Sequence, residues 1–231
     1  MTSNYFTRSS FGFLKELDAN NEKTWWEANK DRYIRDIREP ALDFIADFGH
    51  RLTEISPHFT ADARAQGGSL MRPYRDMRFS KGLPYKTNVG IQFRHEQARD
   101  VHAPGFYLHI EPGQNFAGAG MWHPDTRLAR RIRQAINDDP AGWAVAAHES
   151  GFVSTWEVAG HDEDRLKRVP KELDGTGHPY PDDLRLRSFS AGTRLTQKTV
   201  LSPSLPDDLA KTLKLAAPYT RFICEAIGLP F

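Results

Sequence analysis

The sequence predicts an α+β fold: a single domain over residues 1–231 with a central antiparallel sheet flanked by N-terminal and C-terminal helices. Three observations predict it. Leu42, Ile45, Phe48, Leu52 and Ile55 recur at spacings of three and four, which places them on one face of a helix. In the middle of the chain the period falls to two. Val89, Ile91 and Phe93 alternate with Asn88, Gly90, Gln92 and Arg94, and Phe106, Leu108 and Ile110 alternate with Tyr107, His109 and Glu111. Near the end, Leu209, Leu213, Ala216, Phe222, Ile223 and Ile227 form an inward-facing helical set.

Taken in order, Ser10 is read as the cap of a short helix over Phe11, Phe13, Leu14 and Leu17, which Asn20-Asn21 ends. A second helix runs from about Thr24 to Arg38, and Pro40 restarts a third. Trp25, Asn29 and Tyr33 fall four apart and read as core aromatics bridged by one amide, ahead of a ligand wall. Residues 87–94, 105–111 and 115–122 are assigned to one antiparallel sheet, and Pro112-Gly113-Gln114 turns the chain between the last two. Phe116-Ala117-Gly118-Ala119-Gly120 sets glycine inside a strand. That weakens the strand and marks close approach, either of a ligand over a pocket floor or of a helix packed on the sheet. The run lacks the spacing of a phosphate loop. Asp125 caps the next helix, with Leu128, Ile132, Ala135 and Ile136 inward. Asp139-Pro140 opens another containing Trp143 and Ala147. Residues 151–200 read as short strands and loops. Ser204 and Pro206 begin the last helical region, Asp207 and Asp208 suit its positive end, and Pro218 kinks or divides it.

Composition removes several classes of function. With 31 Lys+Arg against 30 Asp+Glu the net charge is +1, so no global field draws the chain to a polyanion. The single cysteine, Cys224, excludes an intramolecular disulfide and a multi-cysteine metal site, and its apolar flanks read as core. No basic start followed by an apolar run is visible, and no stretch approaches the roughly 18 apolar residues of a membrane span. The expectation is a cytoplasmic protein without a membrane partner. The histidines show no zinc spacing. His123-Pro124-Asp125 with His161 or His178 resembles half of an iron-binding triad, but Asp125 already serves as a helix cap, so no metal site is assigned. No cofactor and no oligomeric state is legible.

Charge is nevertheless segregated. Residues 64–99 hold eight Lys/Arg (Arg64, Arg72, Arg75, Arg78, Lys81, Lys86, Arg94, Arg99) against two acids (Asp76, Glu96), so the remainder is net negative. Read as extended chain, residues 70–81 put Met71, Pro73, Met77 and Phe79 on one side and Arg72, Tyr74, Asp76 and Arg78 on the other. Met77 and Phe79 are expected in the core. Arg72 and Arg78 are expected in a cleft shared with Gln92, Arg94, Tyr107 or His109. Asp76 neutralises one arginine, and a phosphate or carboxylate would take up the surplus through forked hydrogen bonds.

These residues also carry a resemblance. Arg72, Arg75, Asp76, Arg78 and Phe79 match the R-x-x-R-D-x-R-F signature of the domain-of-unknown-function family 2461, and Pro84, Tyr85 and Lys86 match the P-Y-K that follows it. Asn21, Trp25, Asn29, Lys30 and Tyr33 extend the resemblance toward the start, and Gly105 to Pro112 extend it beyond the motif. The turn Ser80-Lys81-Gly82-Leu83 is shorter than the family's insert and lacks its acid and second lysine. The resemblance implies a site at this motif and carries no reaction with it.

The reading placed first is a site for a small anionic ligand, phosphate, nucleotide or carboxylate. Arg72, Arg75, Arg78, Lys81, Tyr85, Lys86, Gln92, Arg94 and Tyr107 are its ligand-binding candidates. Asp76, His109 and Glu111 are its candidates for catalytic proton transfer, because a histidine and a carboxylate two apart on a strand share a face. Two alternatives stand beside it: a protein-interaction domain whose arginines form a structural ion-pair network, and a nucleic-acid module using residues 64–99 as a basic strip beside Tyr74, Tyr85 and Phe93.

Overall fold

A computed structural model describes residues 4–76, 82–97, 102–158, 165–173 and 177–231, which fold as helices around a six-stranded antiparallel sheet. The first helix, α1 (Arg8–Ala19), begins ahead of the expected cap. Thr7 accepts from the Ser9 amide at 3.2 Å, and Ser10, three residues into the turn, accepts from the Thr7 amide at 3.0 Å. This reciprocal capping box satisfies two amides that a cap at Ser10 would strand.

The two helices expected on either side of Pro40 are one continuous run. Helix α2 (Lys23–Tyr33) passes through a π-turn (Ile34–Arg38) into α3 (Glu39–Ile55). Pro40 offers no N–H, and its ring crowds the carbonyl four residues back. The wider turn, in which Glu39 N–H reaches Ile34 O, absorbs that misfit without ending the helix. Trp25 and Tyr33 pack on Phe13 at 5.6 and 6.1 Å between ring centres. The Asn29 amide between them donates to Trp25 O and accepts from Arg32.

The strands are β1 (Phe59–Thr60), β2 (Val89–His95), β3 (Gly105–Ile110), β4 (Phe116–Met121), β5 (Glu157–Val158) and β6 (Phe189–Arg194), in the order β1-β2-β3-β4-β6-β5. The expected central three pair as read. The additions are the two-residue edge strands β1 and β5 and the longer β6, which lies against β4 in the register Gly118↔Gly192 and Gly120↔Ser190.

One face of the sheet carries Val89, Ile91, Phe93, Phe106, Leu108, Ile110, Ala117, Ala119, Met121, Phe189 and Ala191, all buried. Phe48 of α3 meets Phe93 here at 5.0 Å. Beyond β4 follow α4 (Thr126–Asp138), α5 (Pro140–Ala147), the short α6 (Ser150–Val153) and α7 (Gln197–Val200), α8 (Leu205–Leu215) and α9 (Ala217–Ile227). Asp125 and Asp139 cap α4 and α5, and Pro218 divides α8 from α9. Cys224 on α9 is fully buried, and burial pushes its thiol up to about 12, which keeps it protonated and inert. Among the described residues no helix is long and apolar enough to cross a membrane.

Candidate functional site

Strand alternation assigns the opposite sheet face its residues. Tyr107 pairs with Gln92 on one side and Gly118 on the other, and Gly118 pairs with Gly192. One step along, Gly90, His109 and Phe116 form a second row; one step back, Arg94, Gly105, Gly120 and Ser190 form a third. Over these rows opens a cavity of about 560 Å³, a size usual for small-molecule sites. Gln92, Tyr107, His109 and Ser190 line it with polar atoms, Gly105, Gly118, Gly120 and Gly192 form its floor, and Phe116 and Trp122 are its aromatic walls. Met71 and Lys86 enter from the segment that runs beside β2.

That segment is held by backbone bonds. Gln92 N donates to Ser69 O and Met71 N to Gly90 O, both at 2.9 Å, so the chain continues the sheet edge. It then folds on itself: Lys86 N donates to Pro73 O at 2.7 Å and Arg75 N to Pro84 O at 2.9 Å. The fold is pinned at Tyr85. Asn21 donates to Tyr85 O and accepts from Tyr85 N, each at 3.0 Å, and the Tyr85 ring stacks on Trp26 at 4.4 Å. Since neighbouring side chains of an extended strand point to opposite sides, anchoring Tyr85 among the helical aromatics turns Lys86 toward the cavity.

This arrangement changes the parts played by several expected residues. Tyr85 is buried and acts as an anchor instead of a ligand contact, because its ring fills the space over Trp26. Arg72 is exposed and does not line the cavity. Met71 takes the inward side of the strand there, so its neighbour must face out. Arg75 and Asp76 are also exposed, and Arg75 Nε donates to Tyr85 O at 3.1 Å. Arg94 lies on the cavity's sheet face but outside its lining; hydrogen bonds from Arg64, and last the charge of Arg94, hold the Asp62 carboxyl below the usual range. Met77, Arg78, Phe79, Ser80 and Lys81 lie outside the described residues. The expected sites therefore meet at Lys86, Gln92, Tyr107 and His109, with Glu111 behind them. Ser190, Gly192 and Trp122 had no signal in the sequence, because only the pairing of β6 with β4 and the turn after β4 bring them to the cavity.

Lys86 is the cation of the cavity. It is half-buried, and burial followed by the neighbouring charges of Arg72 and Arg75 holds its ammonium below the usual lysine range. Among the described residues no acid forms an ion pair with it. The charges that act on it, Arg72 and Arg75, have its own sign.

A hydrogen-bonded chain runs beside the same segment, since Thr87 and Asn88 follow Lys86 directly. His109 Nε2 lies 2.9 Å from Glu111 Oε2, and His109 Nδ1 lies 3.2 Å from the Tyr107 hydroxyl and 3.4 Å from Asn88 Nδ2. Thr87 donates to the other Glu111 oxygen at 3.3 Å, and Phe116 stacks on the imidazole at 4.6 Å. With Glu111 accepting from Nε2–H, Nδ1 is left to accept from Tyr107. The Tyr107 hydroxyl is pushed up to about 12, by burial first and then by the charge of Glu111, while a hydrogen bond from Asn88 pulls the other way. Tyr107 therefore stays protonated, with its one hydroxyl proton donated to His109 Nδ1, and presents its oxygen to the cavity as an acceptor connected through His109 to a carboxylate.

A family model described as conserved hypothetical protein, DUF2461, matches residues 9–222. No curated protein and no solved structure matches the chain.

Proposed function

The chain belongs to the conserved hypothetical protein family DUF2461, and we propose that its open sheet face is a binding pocket for a small anionic molecule, with a proton-transfer chain at its side. The observation that carries this reading is Lys86: a half-buried ammonium at a cavity, among further cations, with no acid paired to it among the described residues. A phosphate or carboxylate held there would relieve the repulsion from Arg72 and Arg75 and gain a charge-assisted hydrogen bond in a partly desolvated place. Gln92 and Ser190 supply neutral polar contacts, and a proton taken from the ligand by the Tyr107 oxygen can be balanced by passing the hydroxyl proton to His109 Nδ1 and the Nε2 proton to Glu111. The exposed arginines of the motif then act through their field on Lys86 and steer the anion toward the mouth.

The test is calorimetric titration of the chain and of Lys86→Gln with inorganic phosphate, aromatic and aliphatic carboxylates and a short oligonucleotide, at two salt concentrations. Small-anion binding that falls roughly tenfold or more in Lys86→Gln is expected, since a hydrogen bond to a charged group contributes about 1.5–3 kcal/mol. Oligonucleotide binding with a steep salt dependence and no response to Lys86→Gln would instead place the protein among nucleic-acid binders.

A further inference from the structure

We infer that the occupant of this pocket is a flat aromatic or heteroaromatic acid, its ring lying on the glycine floor of β3, β4 and β6 and its anionic group at Lys86. The inference rests on the anion reading above and adds the shape of the ligand.

The floor is low because four of the facing residues, Gly105, Gly118, Gly120 and Gly192, lack side chains and the fifth, Ser190, has a short one. Gly118 and Gly120 succeed each other on β4, Gly192 and Ser190 lie opposite them on β6, and Gly105 faces Gly120 from β3. Strands lie about 4.8 Å apart, and alternate residues about 6.6 Å apart along a strand. The bare patch therefore spans three strands in one direction and one same-face residue step in the other, the extent of a fused ring. Backbone demands explain only part of it. Gly120 has φ of 97°, and a Cβ on Gly105 would stand 2.7 Å from Phe93 O, so those two positions need glycine for the chain itself. Gly118 and Gly192 do not. A Cβ on Gly118 would meet Tyr107 Cβ at an ordinary 3.4 Å, and one on Gly192 would meet Ala117 O at 3.9 Å. At these two positions the absence of a side chain provides nothing except room above the sheet.

The walls suit the same shape. Phe116 and Tyr107 border the floor. Trp122 stands at the mouth with 58% of its surface exposed, a large apolar ring left open beside a cavity. A planar ring would contact the floor with one face and these aromatics with its edges, whereas a puckered ring of equal volume would touch the flat floor at a few atoms only. Charge complementarity sets the ligand's polarity, since the sole lysine lining the cavity among the described residues is Lys86 and no carboxylate lines it there.

The experiment compares naphthoate with its saturated counterpart, decalin carboxylate, which has the same charge and nearly the same size. Binding is measured by calorimetry to the unaltered chain, to Gly192→Leu, to Gly118→Ala and to Lys86→Gln, with thermal melts as a control for folding. Naphthoate is expected to bind at least about tenfold more tightly than decalin carboxylate. Gly192→Leu, whose side chain would occupy the floor, is expected to remove that preference with the melt preserved. Gly118→Ala, which adds one methyl, keeps the test decisive if the leucine variant does not fold, and is expected to weaken naphthoate alone. Equal binding of the two acids, each lost in Lys86→Gln, would overturn the flat-ring inference and leave the anion reading standing. A naphthoate preference that Lys86→Gln leaves unchanged would do the reverse. Binding of neither acid would overturn both.

Discussion

In the proposed anion site Lys86 would hold the ligand, and at the same point it costs the fold stability. Burial and the arginine field lower its folded-state pKa, so its charged form costs stability at neutral pH. The sign follows from linkage. Between the depressed folded value and the ordinary unfolded value, the unfolded chain binds more protons, so stability rises as pH climbs through that window. Lys86→Met keeps the apolar stem and discards the charge. It is expected to raise the melting temperature at neutral pH while abolishing anion binding, and unchanged or lowered melting would contradict the placement of Lys86. Tyr107 gives a second prediction. Glu111 raises its pKa and Asn88 lowers it, so Glu111→Gln should move the tyrosinate absorbance transition to lower pH and Asn88→Ala to higher pH. Opposite shifts, or none, would remove the chain from the cavity's chemistry. At this scale the sequence pointed to Lys86, Gln92, Tyr107, His109 and Glu111 because motif and strand alternation mark them. It did not separate Lys86 from Arg72, because that depends on which side of a short ribbon is anchored, and the anchor is the distant pair Asn21 and Trp26.

At the scale of elements, the ribbon carrying Lys86 is positioned by the N-terminal helices. Asn21 sits between α1 and α2 and satisfies both backbone groups of Tyr85. Asn21→Ala would leave them without those partners and is expected to cost about 1–3 kcal/mol of stability and to weaken anion binding by releasing Lys86. Denaturant unfolding and the same titration check it, and an Asn21→Ala chain of full stability would show the contact to be incidental. Strands β2 and β3 were legible because large apolar residues alternate with other residues along them, and β4 because the Pro112-Gly113-Gln114 turn sets it beside β3. Strand β6 was not, since Phe189-Ser190-Ala191-Gly192-Thr193-Arg194 has few large apolar residues and is a strand through its pairing with β4. The π-turn before Pro40 was likewise invisible, because proline announces a lost hydrogen bond and does not say whether the helix ends or widens around it.

Across the whole molecule, near-neutrality conceals an uneven distribution. Several cations elsewhere are paired, as in Arg32 with Glu16, Arg51 with Asp207 and Lys214 with Glu54. Such pairs add little stability and offset charge locally, whereas among the described residues no acid is paired with Lys86. An anion seated in a concave site meets a few fixed contacts, so its affinity should fall only gently with salt, unlike that of a polyanion tracking a strip. The direct measurement is where an anion lands. Naphthoate titrated into isotopically labelled chain is followed through backbone amide and imidazole resonances. Shifts concentrated at Gln92, His109, Gly118 and Gly192, and absent from Lys86→Gln, are expected. Shifts confined to the exposed surface around Arg72 and Arg75, with the sheet face silent, would contradict a pocket on that face.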